Sequence, residues 1–192
     1  MSSTVHARSA ADGSDVLSEL PGELMMWVLI ASELLVFGAG LLACLSVRIA
    51  DPVRFAADQT LLDQGAGALN TIVLVTSGLC AVIALRAREA EWRRTARLWL
   101  LAAGSLGVMF LIVKAFEYVG KASLGIDIET SPFFAFYYLI TGFHALHVIA
   151  GLVVLGLVAW ADNLRNMEAA VAFWHLVDLV WVLLFPIIYV LR

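Results

Sequence analysis

Residues 133–192 constrain the fold of this chain more than any other stretch, because they hold two long apolar runs joined by a short polar segment. The first run, 133–160, reads FFAFYYLITGFHALHVIAGLVVLGLVAW, and the second, 171–191, reads VAFWHLVDLVWVLLFPIIYVL. Each run is longer than the ~20 apolar residues with which a helix spans the ~30 Å hydrocarbon core of a bilayer. The pattern therefore predicts a transmembrane helical hairpin.

Each helix of this hairpin carries one polar stripe, because polar residues recur at helical spacing. The stripe on the first helix comprises Tyr137, Thr141, His144, His147 and Gly151. The stripe on the second helix comprises Trp174, His175, Asp178, Trp181 and Phe185. Ionisable side chains at membrane depth cost ~3 kcal/mol or more, so such stripes face protein or trapped water rather than lipid. The hairpin either packs this polar seam against itself or offers it to a partner.

Composition extends the membrane prediction to the whole chain. Hydrophobic residues make up 62% of the 192 residues and charged residues 15%, and the mean hydropathy is +0.92. These values are typical of polytopic membrane proteins. We predict an all-α bundle of five transmembrane helices after a polar, disordered tail at 1–23. The helices are expected at about 24–47, 68–85, 98–120, 133–160 and 169–191, with a short external loop at 48–67.

A basic cluster sets the predicted orientation. Five of the 12 Lys and Arg residues lie at 86–97, between the second and third helices, in a segment short enough for the positive-inside rule. We expect this segment and the N-terminus to be cytoplasmic and the C-terminus to lie outside. The net charge of −4 gives no indication of nucleic-acid binding.

Several polar residues lie inside the predicted spans. Glu33 is the only charged residue of the first helix and lies about 14 Å from its start, so we expect it to be neutral or bonded to another helix. It is either a proton-linked or reactive carboxyl or a packing residue. Asn70, Ser77 and Gly78 share a face suited to close helix packing. A pairing of Lys114 with Glu117 is predicted at the membrane interface, near the outer end of the third helix.

A metal or haem site is the rival explanation of the histidines. His144, His147, His175 and Asp178 include ligand types, since neutral imidazole is a common metal ligand. However, carboxylate-bridged di-iron bundles use a Glu-x-x-His pair on each of two helices, and that motif is absent. His147 and His175 are also expected at different depths, about 20 Å and 8 Å from the inner ends of their helices. We therefore predict polar packing, with no metal ligand and no catalytic residue.

The order of these segments resembles the cytochrome c oxidase subunit III family. TGFHALHVIAG at 141–151 and MEAAVAFWHLVDLVWVLLFPIIYV at 167–190 are similar to the last two helices of that family. Upstream, SELLVF at 32–37 is similar to the helix with the buried glutamate, LNTIVLVTSG at 69–78 to the next helix, and VKAFEY at 113–118 to the one after. The resemblance covers about 21–192 and all five spans.

Two features place the chain within that family. The seven-helix type has two further N-terminal helices, and this chain begins where the third would, as in five-helix bacterial forms. The stretches LPGELMMWVLIASELLVF and DPVRFAADQTLLDQGAGALNT look closest to the accessory subunit of nitric oxide reductase clusters. Lys114 stands where many members have Gln, which puts in doubt any helix contact carried over from them.

The resemblance implies a non-catalytic subunit of a haem-copper oxidoreductase in a bacterial plasma membrane. Haem, with or without copper, would lie on a partner catalytic subunit, and this chain would support its stability and proton uptake and hold phospholipid at the boundary. Glu33, Glu117, His144, His147, His175 and Asp178 would be signature residues. Asn70, Ser77, Gly78, Thr141, Gly151, Trp174 and Trp181 would pack helices. The alternative function is a stand-alone proton-linked transporter or channel, suggested by Glu33, Glu117 and Asp178 at membrane depth.

Overall fold

Five long helices dominate the computed structural model, which describes residues 24–161 and 164–191. The helices are α1 (Leu24–Ala50), α2 (Pro52–Gln59), α3 (Gln64–Glu89), α4 (Arg93–Ser123), α5 (Pro132–Ala161) and α6 (Leu164–Phe185), and α6 continues as a π-helical turn, Pro186–Val190. All but α2 are long and apolar enough to cross a membrane. The five-span, all-α prediction is therefore confirmed. The tail at 1–23 lies outside the described residues, and the orientation stays a prediction.

Helix α6 lies at the centre of the bundle. It packs against α1, α3 and α5, and half of its most apolar stretch is buried, compared with 17% for α1. Helices α3 and α4 pack along their length, and α5 packs against α4 and α6. Helix α1 rests on α5 and α6 but makes little contact with α3. Consequently α1 and α3 flank α6 on two sides and leave a strip of it between them.

The predicted loop at 48–67 is wrong, because most of this segment is helical. Helix α1 continues to Ala50, and the Asp51 side chain then accepts from the Arg54 N–H at 3.0 Å and caps α2. Pro52 suits the first turn of a helix, where its missing N–H needs no acceptor. Asp63 caps α3 in the same way, so α3 begins four residues earlier than expected. The Asp-Pro pair was the local signal for this short helix.

Helix α2 and its neighbours close one end of the bundle, here called the α2 end. The last carbonyls of a helix have no partner within it, and the hydrocarbon core offers no water to bond them. Gln59, fully buried, donates from its side-chain amide to the carbonyl of Ile188 at 2.9 Å. Gln64 donates to the carbonyl of Tyr189 at 2.8 Å, and Arg48 bonds a third such carbonyl at 3.1 Å. Residues of α1, α2 and α3 thus cap the end of α6.

The side chain of Trp174 forms the tightest helix junction. Its ring is fully buried, and its Nε1–H donates to the Ser77 hydroxyl of α3 at 3.1 Å. A Cβ added at Gly107 of α4 would lie 2.7 Å from this ring, and one added at Gly151 of α5 would lie 2.6 Å from it. We call Trp174, Ser77, Gly107 and Gly151 the Trp174 junction. The predicted packing roles of Ser77, Gly151 and Trp174 agree with this geometry.

Gly151→Ala and Gly107→Ala should each destabilise the bundle by about 1–3 kcal/mol, because the new methyl overlaps a ring that is enclosed on all sides. Thermal unfolding in a fixed detergent measures the effect. Gly156→Ala is the matched control on α5, since a Cβ there meets nothing within 4 Å. Equal unfolding temperatures for Gly151→Ala and Gly156→Ala would show that the Trp174 junction does not set the helix spacing.

Candidate functional site

Glu33 and His147 join α1 to α5. The Glu33 Oε2 atom lies 2.9 Å from His147 Nε2, and the two side chains are 19% and 17% exposed. Both residues lie near the middle of their spans, about 14 Å and 21 Å from the nearer helix ends at 1.5 Å per residue. Glu33 was expected to be neutral or bonded to another helix, and the structure places its carboxyl against a histidine of another helix.

The neighbours of this pair limit the ways in which its two atoms can be bonded. The other ring nitrogen of His147, Nδ1, lies 2.9 Å from the carbonyl oxygen of Phe143, which can only accept, so Nδ1 carries a proton. Either the Glu33 carboxyl is protonated and donates to a neutral ring, or the ring is an imidazolium that donates to a carboxylate. Either form would join Oε2 to Nε2 by one hydrogen bond.

His144 lies one turn away and is held by aromatic rings. Its imidazole is fully buried, with ring centroids 5.3 Å from Trp181, 5.6 Å from Phe110 and 6.2 Å from Phe37. Neither of its nitrogens has a hydrogen-bond partner within 24–161 and 164–191. An unpaired buried polar group costs ~1–3 kcal/mol, so His144 is a polar residue that the aromatic packing tolerates at a cost.

Asp178 and His175 lie on the side of α6 that faces α3. The Asp178 carboxylate packs directly on Gly78, where a side chain would collide with it, and the residue is buried. His175 Nδ1 lies 3.7 Å from Asp178 Oδ2, which is longer than a hydrogen bond. The side chain of His175 is 41% exposed. The predicted stripe is therefore split, with Trp174, Asp178 and Trp181 inside the bundle and His175 at its edge.

The structure separates the histidines that a metal site would have to unite. The described helices are longer than predicted. His147 lies about 21 Å from the C-terminal end of α5, and His175 lies about 16 Å from the N-terminal end of α6. The expected difference in depth was therefore too large. Their directions separate them instead, since His147 faces Glu33 of α1 and His175 faces Gly78 of α3. Within the described ranges, no three His, Cys, Asp or Glu side chains form a group that could hold a metal ion.

Lys114 and Glu117 pair as predicted but in a different environment. Their side chains are only 3% and 4% exposed and lie inside the bundle. The pair was predicted near the outer end of the helix, and its enclosure by other helices was not part of that prediction. The Lys114 ammonium donates to Glu117 Oε2 at 3.0 Å and to the hydroxyls of Tyr189 at 2.9 Å and Tyr137 at 3.2 Å. All three of its N–H groups are used. We call these four residues the Lys114 cluster.

Tyr189 completes the Lys114 cluster and is the residue that the sequence did not indicate. Its hydroxyl accepts from Lys114 and lies 2.9 Å and 3.0 Å from the two Glu117 carboxylate oxygens, to which it donates. The ammonium also lies 4.9 Å and 5.5 Å from the ring centroids of Tyr137 and Trp181. Tyr189 lies 75 residues from Lys114 in the sequence, and only the folded arrangement of α4 and α6 brings the two side chains together. The sequence therefore gave no local signal for this contact.

The remaining predicted packing residues lie inside the bundle. The Trp181 indole donates to the Thr71 hydroxyl of α3 at 3.1 Å. Thr141 is buried, and its hydroxyl lies 2.6 Å from that of Tyr118 on α4. Asn70 is fully buried, and its side-chain amide has no hydrogen-bond partner in the described part of the chain. These positions confirm burial, while the roles assigned by resemblance stay predictions.

Comparison with known proteins gives one family. The family model for cytochrome c oxidase subunit III matches residues 23–192, which include all five spans. The chain belongs to the cytochrome c oxidase subunit III family.

Individual relatives of subunit III agree. The cytochrome c oxidase subunit 3 of Thermostichus vulcanus is 28% identical over 202 residues, covering 100% of this chain and 98% of that protein. A probable cytochrome c oxidase subunit 3 of Mycobacterium tuberculosis is 31% identical over 174 residues, covering 86% of this chain and 85% of that protein. A heme-copper oxidase subunit I+III of Aeropyrum pernix is 31% identical over 178 residues, covering 85% of this chain and 22% of that longer protein.

Glu33→Leu should destabilise this subunit III chain by about 1–3 kcal/mol, because it leaves His147 Nε2 buried without a partner. Glu33→Gln should retain most of the stability, since its amide N–H can donate to the neutral ring. The double variant Glu33→Leu with His147→Leu should recover part of the loss, because removing both partners is nearly neutral.

Thermal unfolding of the purified chain tests this cycle. Ser32→Leu is the control, since Ser32 is exposed and bonds only a carbonyl of its own helix. Additive effects of the two single leucine variants would mean that the contact between α1 and α5 does not couple these residues.

Lys114→Met should destabilise the protein more strongly, by about 3–5 kcal/mol, because it leaves the Glu117 carboxylate buried without its cation. Lys114→Met combined with Glu117→Gln should restore much of the loss. Ala115→Met, at an exposed neighbouring position, is the control for the change in size. The midpoint of unfolding in denaturing detergent gives the comparison, and a mild effect of Lys114→Met alone would place the Lys114 cluster in contact with water.

Proposed function

We propose that this chain is a non-catalytic subunit of a haem-copper oxidoreductase, packed in the membrane beside the subunit that carries the redox centres. The observation that carries the proposal is the match of residues 23–192 to subunit III, which spans the whole described bundle. The Aeropyrum pernix relative, whose name joins subunits I and III, supports proximity between a subunit of this type and a catalytic one.

In this proposal, haem and copper lie on the partner and not on this chain. The described side chains supply polar contacts between helices instead of ligands. Glu33 of α1 faces His147 of α5 at 2.9 Å, and the Lys114 cluster pairs one cation with one carboxylate. These arrangements suit a subunit that stabilises its neighbour and its proton uptake during turnover. An apolar groove between α4 and α5, lined by Gly104, Val108 and Leu152, suits a phospholipid acyl chain.

The partner is an oxygen-reducing oxidase or a nitric oxide reductase. The relatives named above are oxidase subunits, which favours the oxidase and aerobic respiration. The resemblance of residues 20–37 and 51–71 to nitric oxide reductase accessory subunits favours the nitric oxide reductase and denitrification. With either partner, we propose that the chain lies in the plasma membrane of a bacterium.

A stand-alone transporter has less support. Transporters of many folds bind substrate where helices are broken near the membrane midplane. In the described spans the irregular turn is Pro186–Val190, at the α2 end and away from the midplane. Of the carboxylates that suggested transport, Glu33 faces His147 of α5, Glu117 accepts from Tyr189, and Asp178 packs on Gly78 of α3.

Affinity purification of the tagged chain from native membranes, in a mild detergent, tests the proposal. We expect a haem-bearing subunit to copurify, with a haem absorption spectrum that disappears when the chain is stripped to homogeneity. Mass spectrometry of the captured subunit then separates the oxidase from the nitric oxide reductase. A stoichiometric haem or copper signal in the isolated chain would contradict the proposal, as would substrate-dependent flux in liposomes that contain only this chain.

A further inference from the structure

Lys121, in the last turn of α4, carries an ammonium group that is enclosed without a counterion among the described residues. The residue is only 5% exposed, and its Nζ donates to the carbonyl of Leu61 at 3.0 Å. An ammonium has three N–H groups, so the described part of the chain leaves two of them unused. No described carboxylate lies close enough to Nζ to form an ion pair.

The other two buried cations of the described ranges differ from Lys121 in this respect. Lys114 lies 3.0 Å from the carboxylate of Glu117, and Arg88 lies 3.2 Å from that of Glu91. Burying a charge without a partner is costly, so enclosed charges in proteins are normally paired. Lys121 therefore has the free donors and the unbalanced charge to hold an anionic group from outside the chain.

A cavity of about 390 Å³ between α3 and α4 reaches Lys121, and we call it the Lys121 pocket. Asp63 also lines it, while Val113, Phe116 and Leu124 form an apolar wall. Lys121 lies about 3 Å from the C-terminal end of α4, and Asp63 directly precedes α3. The polar part of the pocket is thus at the ends of two spans, and the apolar wall extends along α4 towards the middle of the membrane. This arrangement suits a lipid with a charged head group.

The charges of the Lys121 pocket select the head group. Glu117 lines the pocket, but its carboxylate is already paired with Lys114. Asp63 caps α3 with Oδ1, which accepts from the Ala66 N–H at 3.0 Å, and no described residue donates to its Oδ2. The pocket therefore offers one cation and one anion. A phosphodiester can accept from Lys121 and a primary ammonium can donate to Asp63, both as charge-assisted hydrogen bonds.

We propose that the Lys121 pocket binds phosphatidylethanolamine, with the phosphate on Lys121, the ammonium on Asp63, and an acyl chain along Val113 and Phe116. Phosphocholine fits less well because its ammonium has no N–H, and phosphoglycerol supplies no positive charge for Asp63. The site is separate from the acyl-chain groove proposed above, which lies between α4 and α5. It also goes beyond the proposed function, since it needs no catalytic subunit.

Native mass spectrometry of the purified, delipidated chain tests the proposal. Phosphatidylethanolamine, phosphatidylcholine and phosphatidylglycerol with identical acyl chains are titrated separately, and the dissociation constants of the first bound lipid are compared. We expect phosphatidylethanolamine to bind about fivefold to tenfold more tightly than the other two, the effect of one hydrogen bond.

Two variants separate the two ends of the head group. Lys121→Met should weaken binding of all three lipids by about tenfold, because each loses the partner of its phosphate. Asp63→Asn keeps an oxygen that can cap α3, and it should remove the preference for ethanolamine over choline. Arg54→Gln is the control, since Arg54 is exposed at the α2 end and does not line the pocket. Thermal unfolding without lipid shows that each variant is folded.

The outcomes are distinct. Unchanged lipid binding by Lys121→Met would contradict the site itself. Equal affinities for ethanolamine and choline lipids in the unmodified chain, or an ethanolamine preference that survives Asp63→Asn, would contradict the selection of the head group. Free phosphoethanolamine that binds as tightly as the lipid would show that a soluble phosphate ester fills the pocket instead. None of these results depends on capture of a haem-bearing subunit, so the proposed function can fail while this inference holds, and the reverse.

Discussion

Close contact between helices at Trp174 is the constraint on which the rest of the bundle depends. In a membrane, lipid tails are as apolar as the helices, so association depends on close packing and hydrogen bonds instead of the hydrophobic effect. Two glycines let α4 and α5 approach the Trp174 ring, and Ser77 of α3 bonds its indole. One side chain of α6 therefore contacts three other helices. The same spacing brings Tyr137 and Tyr189 together around Lys114 further along the bundle.

Two of the carboxyl groups enclosed in this bundle lie close to a basic side chain. Glu117 pairs with Lys114, and Glu33 faces His147. Such pairs contribute little net stability compared with apolar packing, but removing one partner leaves a buried charge without its counterion, which is strongly destabilising. They are well suited to fixing which helix faces which within the bundle.

Features with a local signal could be predicted from the sequence. The five spans follow from apolar runs of sufficient length, and the partner of Glu33 was expected because a carboxyl at that depth needs one. Gly151 was expected at a helix contact because small residues let membrane helices approach closely. By contrast, the environment of Lys114 depends on Tyr189, 75 residues away, and its burial could not be inferred from its distance to the end of α4. Helix α2 was missed although Asp51 and Pro52 are a local signal for a helix start, because its length and polarity are those of a loop.

The caps on the end of α6 carry a consequence for the way the protein is made. Gln59 lies 129 residues before the carbonyl that it bonds, so it leaves the ribosome first. At ~5–20 residues per second, its acceptor follows between about 6 and 26 s later. Throughout that interval the amides of Gln59 and Gln64 have to find water or lipid headgroups near the membrane surface. Entry of Pro186–Val190 into the bilayer then exchanges those temporary contacts for permanent ones and locks the α2 end.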